Sequence, residues 1–377
     1  MAKKNILIIC GEASGDLQAS NLVSAISNIN PNIKFFAVGG ELLKKCGASV
    51  FYDIKELSVI GLFDVIKKLP RFFALKKIVL DKIKLLNPQA IIFVDFSGFN
   101  LRIAKEIKKS TRTIYYVSPQ VWASRQGRIK TIKNYIHQMI VLFKFEEEFY
   151  KKHGITAQFV GHPLLDIVKP TMKKSELLEK LSFTEENPVI ALLPGSRNAE
   201  IKNILPVMLE ACSLMQKDFP KLQIVIAKST QIDWEIYNRL LLKSGIKTQV
   251  VEGKTYDCLN IANFSLVASG TATLEAAIMQ KPFAVIYKMN PLNYFLYRPM
   301  IKIPYIGMVN IVAGKMIVPE FIQFRAKPAL IAEEAIKTLK DTAKSEKIKE
   351  ELAKIKTLLG EKGAATRAAK IVTELVN

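Results

Sequence analysis

Two turns in this chain carry residues suited to holding an anion. In "VIALLPGSRNAEI" an apolar run ends at Gly195, Ser196 and Arg197. Glycine lets backbone N–H groups approach an anion, and an arginine fork places two hydrogen bonds on phosphate oxygens. A plain strand-to-helix turn with an exposed arginine would read the same way. In "FSLVASGTATLEAAIMQKPFAVIY" the run ends at Ser269, Gly270 and Thr271, where a helix starts. The open N–H groups and positive dipole end of such a start suit a pyrophosphate. Glu275, one turn in, can accept hydrogen bonds from ribose hydroxyls; simple helix capping is the competing reading. Neither turn reads G-x-G-x-x-G, and no Walker-type G-x-x-x-x-G-K-[ST] occurs. Together the two turns point to a nucleotide diphosphate.

Other residues suit proton transfer and sugar contact. "AIIFVDFSGFN" puts Asp95 at the end of an apolar run, where a partly desolvated carboxylate is either a general base or the cap of the next helix. "YYVSPQVWASRQGRIK" supplies Ser118, Trp122, Arg125 and Arg128, aromatic and basic groups that suit a sugar ring or phosphate, with Trp122 also readable as core. "LIICGEASGDLQASNL" has the layout of a phosphate loop, with Gly11 and Gly15 between an apolar run and a helical pattern. No D-x-D presents a carboxylate pair for a divalent cation. His137, His153 and His162 form no ligand cluster; His162 either lines a cleft or is structural. The expectation is therefore no metal and no cofactor.

The elements that must position these residues are short apolar runs alternating with helical patterns. Candidate strands are 5–10, 34–39, 90–96, 113–118, 139–143 and 157–161, then 189–194, 222–227, 248–253, 264–269 and 283–288. Most lack polar/apolar alternation, as strands buried on both faces of a parallel sheet do. A polar stretch at 171–187 separates the two series, which predicts two doubly wound α/β domains. The expected division is 1–168, 169–345 and a helical tail, 346–377, packing back on an N-terminal domain. Ligands of such sheets bind outside the carboxyl ends of the strands, so the site is expected in the cleft between the domains.

Charge narrows the partners. Lys and Arg number 55 against 34 Asp and Glu, a formal +21, and 12 of those charges fall between Lys55 and Lys133. An anionic partner is expected: nucleic acid, acidic lipid or phosphorylated substrate. Within that region Leu62, Phe63, Val65, Ile66, Leu69, Phe72 and Phe73 recur at helical spacing, with Lys67, Lys68 and Arg71 between them. An apolar stripe with Lys and Arg marks a segment lying in a membrane interface, against the plainer reading of an amphipathic helix packed on its own sheet. Pro70 is expected to split the segment into two short helices. The basic residues interleave with that stripe rather than with exposed stacking aromatics, which argues against nucleic acid. Four cysteines without C-x-x-C spacing read as buried thiols in a reducing compartment. The N-terminal apolar run is too short for a signal-peptide core, and no run is long enough to span a bilayer. A cytoplasmic chain is expected.

Taken together, "GEASGD", "ELSVIGLFDVI", "VDFSGFN", "YYVSPQVWA", "FVGHPLLD", "LLPGSRNAEI", "ASGTATLEAA", "YKMNPLNYFLYR" and "MVNIVAGKMIVPEFIQ" resemble the lipid A disaccharide synthase family over essentially the whole chain. The resemblance implies an inverting glycosyltransferase of the two-domain GT-B type. Its reaction joins UDP-2,3-diacylglucosamine to 2,3-diacylglucosamine 1-phosphate (lipid X), forming a β-1,6-linked disaccharide and UDP at the cytoplasmic membrane face. Asp95 would take the proton from the acceptor 6-hydroxyl, and Arg197 with the Gly270–Thr271 turn would stabilise the departing diphosphate in place of a metal. Asn310 and Gln323 would sit near the cleft, with Asn310 counted among the UDP-binding residues. Glu12, Ser14, Gly15 and Asp16 would help to place the acceptor and complete the active site, with Glu12 counted as catalytic beside Asp95 and Arg197, alongside Asn100, Ser118, Trp122 and Arg125. Two acids in six residues would repel a pyrophosphate, so "GEASGD" is not the UDP loop. The resemblance also raises docking of 58–80 on an anionic membrane, and the tail is compatible with a homodimer exchanging C-terminal parts.

The sequence departs from the family pattern twice. Asp-x-Pro-Asp-Phe-Asn is Asp95-Phe96-Ser97-Gly98-Phe99-Asn100 here, which removes the second carboxylate and leaves Asp95 as the base. Trp-Ala-Trp-Arg is Trp122-Ala123-Ser124-Arg125, which removes an aromatic. Another UDP-sugar enzyme of the same fold, a 2-epimerase or an N-acetylglucosaminyltransferase, is the nearest rival.

Overall fold

Long apolar runs without alternation become strands covered on both faces. Ile6 through Cys10 and Ala90 through Val94 are fully buried, as are Ile190 through Leu192 and Phe283 through Ile286. They belong to a computed structural model that describes residues 4–57, 62–108, 110–301 and 303–376, with side chains at 62–69, 296, 297 and 300 outside the description.

The chain divides into two units. The first is Met1–Pro163 with Leu359–Asn377, and the second is Leu164–Leu358. In the first, seven strands form one parallel sheet: β1 (Lys4–Ile9), β2 (Ile33–Gly39), β3 (Ser49–Asp53), β4 (Ala90–Val94), β5 (Arg112–Tyr116), β6 (Gln138–Val141) and β7 (Ala157–Phe159). Their order is β3-β2-β1-β4-β5-β6-β7. The second unit repeats the plan with β8 (Val189–Leu193), β9 (Gln223–Lys228), β10 (Gln249–Glu252), β11 (Phe264–Ala268), β12 (Phe283–Tyr287) and β13 (Glu320–Ile322), in the order β10-β9-β8-β11-β12-β13. In each unit the winding reverses beside the first strand, so β1/β4 and β8/β11 flank the switch points where doubly wound sheets bind ligands. The edge strands β3 and β13 were not among the strands expected from hydropathy; both are short and only partly buried.

The tail changes unit part-way. The Thr342–Leu358 helix buries Ile348, Leu352 and Ile355 in the second unit. Beyond it the chain returns to the first, where Leu359 O accepts from His162 N at 2.9 Å. Gly360 has φ +86°, and a Cβ there would lie 3.0 Å from the Phe159 ring. The Ala364–Val376 helix then packs along the Ala13–Ile29 helix and buries Ala368, Ala369 and Val372 completely. The turnover therefore comes at about 359, inside the segment that hydropathy treats as one tail from 346.

Pro70 does not split its segment: one helix runs Leu62–Leu86 through it. Proline removes one N–H bond and crowds the preceding turn, yet the downstream half is anchored by Leu75 and Val79, both fully buried. Among the described residues, no helix is long and apolar enough to cross a membrane. Of the side chains expected to dock on one, Leu62, Phe63, Val65, Ile66, Lys67, Lys68 and Leu69 lie outside the described residues. Arg71 and Phe73 are exposed, and Phe72 is half-buried against Phe96 with ring centroids 6.1 Å apart.

Candidate functional site

At the first switch point, β1 ends at Gly11-Glu12 and β4 at Asp95. Asp95 and Phe96 are consecutive left-handed residues, φ +49° and +45°. Each costs about 1–2 kcal/mol outside glycine, so the surroundings must hold them. Asn100, fully buried, does so with one amide: Nδ2 donates to Ile9 O at 3.3 Å, Val94 O at 3.4 Å and Asp95 O at 2.9 Å. The Tyr115 hydroxyl donates to the same Asp95 carbonyl. Phe96 stacks on Phe99 at 5.1 Å and lies over Gly11, where a Cβ would come 2.3 Å from its ring. Glycine at 11 is thus a space requirement. The strained turn presents the Asp95 carboxyl, whose pKa is raised above the usual carboxylate range by burial first and by the Glu12 charge second. Glu12 is exposed, as is Ser14 in the first turn of the Ala13–Ile29 helix; Gly15 behind them is buried.

The loop after β5 curls past this turn. Val117 (φ +62°) and Arg125 (φ +54°) are left-handed. Arg125 is exposed, and Arg128 Nη1 donates to Ser97 Oγ at 2.7 Å, two residues from Asp95. Burial, with the Arg125 charge second, lowers the Arg128 pKa.

Several residues expected to face a ligand have other tasks. Asp16 is buried, and its carboxylate accepts from Gly40 N at 2.7 Å, Leu42 N at 3.0 Å and Leu43 N at 3.4 Å, capping the Glu41–Lys45 helix. Trp122 points inward and donates from Nε1 to Glu146 Oε1 at 3.1 Å. Ser118 Oγ pairs with Tyr150 Oη at 2.7 Å in the same buried cluster. Burial raises the Glu146 pKa to about 7. His162 packs on Phe143, and burial pulls its pKa down to about 4. Asn310, fully buried, donates to Val318 O and Glu320 Oε1 at 2.9 Å each and accepts from Ile317 N and Val318 N, so it fastens its own loop. Gln323 pins Met289, accepting from its N at 3.1 Å and donating to its O at 3.0 Å. For Asp16, Asn310 and Gln323 a buried carboxylate or amide satisfies backbone groups that would otherwise be orphaned.

At the second switch point the two glycine turns differ. After β8, Gly195 has φ +111°, and the amides of Ser196 and Arg197 donate to Glu200 Oε2 at 3.0 and 3.3 Å. Glu200 Oε1 also meets Arg197 Nη1 at 3.2 Å. The amides expected to hold a phosphate are thus held by a carboxylate of the same turn. After β11, Gly270 has φ +139° with open space on its Cβ side, and Thr271 is exposed. No side chain caps the Ala272–Ile278 helix that starts there. Ser269 Oγ ties the turn to Ile306 O at 3.0 Å. Glu275 is largely buried with a raised pKa, and its Oε1 accepts from Tyr256 Oη at 3.1 Å. Among the described residues, no group of three or more His, Cys, Asp or Glu side chains could hold a metal ion.

The family model for lipid-A-disaccharide synthetase matches residues 6–375. The chain belongs to this family. Proteins named lipid-A-disaccharide synthase from Myxococcus xanthus and Syntrophus aciditrophicus are each 38% identical, over 98% of this chain and 97% of the first, and 100% of this chain and 99% of the second. That from Coxiella burnetii is 35% identical over the full length of both. The chain is accordingly a glycosyltransferase of lipid A biosynthesis. Solved structures with the same fold include S. aureus MnaA with UDP, at TM-score 0.66 and 13% identity, covering 99% of this chain and 97% of that one. The calicheamicin glycosyltransferase CalG4 aligns at TM-score 0.60 and 16% identity, covering 100% and 99%. GT-B architecture is therefore established for this synthase-family chain.

The residues missed in the sequence are those that act through others: Glu146, Tyr150, Glu200, Tyr256 and Glu320. Only Glu200 carried a local signal, since an acid three residues past a helix start commonly turns back on the turn amides. The others meet partners far away in sequence.

Proposed function

We propose that this synthase-family enzyme joins UDP-2,3-diacylglucosamine to 2,3-diacylglucosamine 1-phosphate, releasing UDP. The observation that carries the reading is Asp95: a carboxyl with raised pKa, at the first switch point, on a strained turn held by Asn100, Tyr115 and Phe96. Strain of this kind is kept where function uses it. Asp95 accepts the proton of the acceptor 6-hydroxyl as that oxygen attacks the donor's anomeric carbon, inverting it. The oxygen gains the carbon bond, the C–O bond to UDP breaks, and the electron pair leaves on the diphosphate. Glu12 keeps the Asp95 proton affinity high, and Arg125 with Arg128 meets acceptor phosphate. On the donor side, Arg197 and the uncapped Gly270–Thr271 turn stabilise charge on the leaving diphosphate. Ribose hydroxyls compete with Tyr256 for Glu275. Both substrates are acylated, so the enzyme works peripherally on the anionic inner face of the cytoplasmic membrane, with the Leu62–Leu86 helix docking there.

The test is turnover of this lipid pair in detergent micelles with EDTA, comparing wild type with Asp95→Ala. UDP release that needs both lipids, survives EDTA and collapses in the variant is the expected result. Conversion of the donor to its C2 epimer without acceptor and without net UDP release would instead favour the epimerase reading.

A further inference from the structure

The second unit carries an exposed aromatic surface that this chemistry does not use. It is assembled from two segments that follow β12 and β13. The Gln323 amide clamps them together by bonding both the N and the O of Met289. Tyr294 and Phe295, from the Pro291–Tyr297 helix, and Phe324, from the turn after β13, form a triangle with all three ring centroids 6.0 Å apart. Leu292 is 77% exposed, Phe295 63% and Phe324 58%. Single exposed apolar residues are ordinary; adjoining rings held in register by a buried amide are a patch that expects a cover.

Charge identifies the cover. Residues 283–327 contain six Lys and Arg and one acid, Glu320. Both Glu320 oxygens are engaged inside the fold, with Ile306 N and Gly307 N at 2.9 Å and with Asn310. Arg298, Arg325 and Lys327, from the same two segments as the rings, are exposed. A second copy of a +21 chain would bring like charges together at this face, whereas an anionic surface is attracted to it. Leu292, the most exposed member, adds aliphatic area suited to acyl chains and has no use in stacking on bases.

We propose that Leu292, Phe295 and Phe324 form a membrane-docking surface on the second unit, entering the interfacial layer of an anionic bilayer while Arg298, Arg325 and Lys327 meet lipid phosphates. It is separate from the docking expected of the Leu62–Leu86 helix. It rests on the proposed function only in that acylated substrates give the enzyme a reason to lie on a membrane.

The test is partition of the full chain onto vesicles of phosphatidylglycerol and phosphatidylethanolamine, with phosphatidylcholine vesicles as the uncharged control. Phe295→Ser with Phe324→Ser is expected to weaken anionic partition about tenfold or more. Arg298→Gln and Arg325→Gln each weaken it about fivefold at low salt and less at high salt. Thermal melting stays that of wild type. As a gain of signal, Phe295→Trp should show blue-shifted fluorescence when vesicles are added. Unchanged partition in the folded ring variants, with no blue shift, overturns the proposal. A change of oligomeric state without a change of partition overturns it in favour of self-association, and binding to single-stranded RNA in preference to vesicles overturns it in favour of nucleic acid. Partition without turnover of the lipid pair would sink the proposed reaction and leave the surface standing; turnover with no partition would do the reverse.

Discussion

The two switch points are built from different materials. In the first unit the turn after β4 is built from side chains, with Asp95 and Phe96 forced left-handed and held by Asn100, Tyr115 and a ring lying on Gly11. In the second, the turns after β8 and β11 are built from glycine and backbone amides, one held by Glu200 and the other uncapped. A proton acceptor needs a raised pKa and a fixed direction, which burial and packing supply. A diphosphate needs several donors converging on diffuse charge, which a glycine turn supplies at little steric expense.

Breaking that division gives the largest effect. Asp95→Asn keeps the turn but removes the base, and turnover is expected to fall about 10²- to 10⁴-fold while UDP affinity, measured by calorimetry, is unchanged. A loss of UDP affinity as large as the loss of turnover would show that the two turns do not divide the work. Arg197→Ala, the mirror experiment, should lower turnover about 10²- to 10³-fold and weaken UDP binding as well.

Glycines sharpen the comparison. Gly11→Ala places a methyl against the Phe96 ring and is expected to destabilise the chain by about 1–3 kcal/mol in urea denaturation. Phe96→Ala in the same chain should relieve part of that loss, a coupling that a double-mutant cycle reads directly. Gly270→Ala meets no neighbour, and its loss comes from φ +139° alone, so no second substitution nearby should rescue it.

Smaller effects concern protons. Asp95 must be ionised to accept a proton, and its pKa is raised, so kcat/KM should climb with pH to a shoulder above the ordinary carboxylate range. Glu12→Gln removes an anion that raises it, so the shoulder should move to lower pH. Among the described residues of this unit Glu146 is the other raised carboxyl, at about 7 against an ordinary 4.5. Its favourable contribution is complete below the unfolded value and is lost as pH rises through 7. The melting temperature of Glu146→Gln should therefore gain on wild type between pH 5 and 8, because the amide keeps an acceptor for Trp122 without the buried charge.

Eleven strand runs were legible in the sequence, most of them because burial on both faces leaves a continuous apolar signature that needs no partner to be recognised; β7 and β10 are edge strands and only partly buried. The same signature put Asp95, Arg197 and the Gly270 turn just past strand ends, the position at which doubly wound sheets bind ligands. The other two edge strands, β3 and β13, also only partly buried, were not among the eleven runs. Pro70 reads locally as a break, yet burial of Leu75 and Val79 holds one helix around it. Polar residues were less legible. Asp16, Trp122, Asn310 and Gln323 have the residue types of a binding site, and each is instead turned inward onto another part of its own unit. Hydropathy records whether a side chain is buried; it does not record what the side chain meets there. That partner is chosen by chain segments brought together from far apart, as when Glu146 reaches Trp122 and Gln323 reaches Met289. The sequence by itself therefore determined the two sheets and the family. Only the tertiary structure decided which polar side chains turn inward and what they meet there, because their partners come from distant segments of the chain.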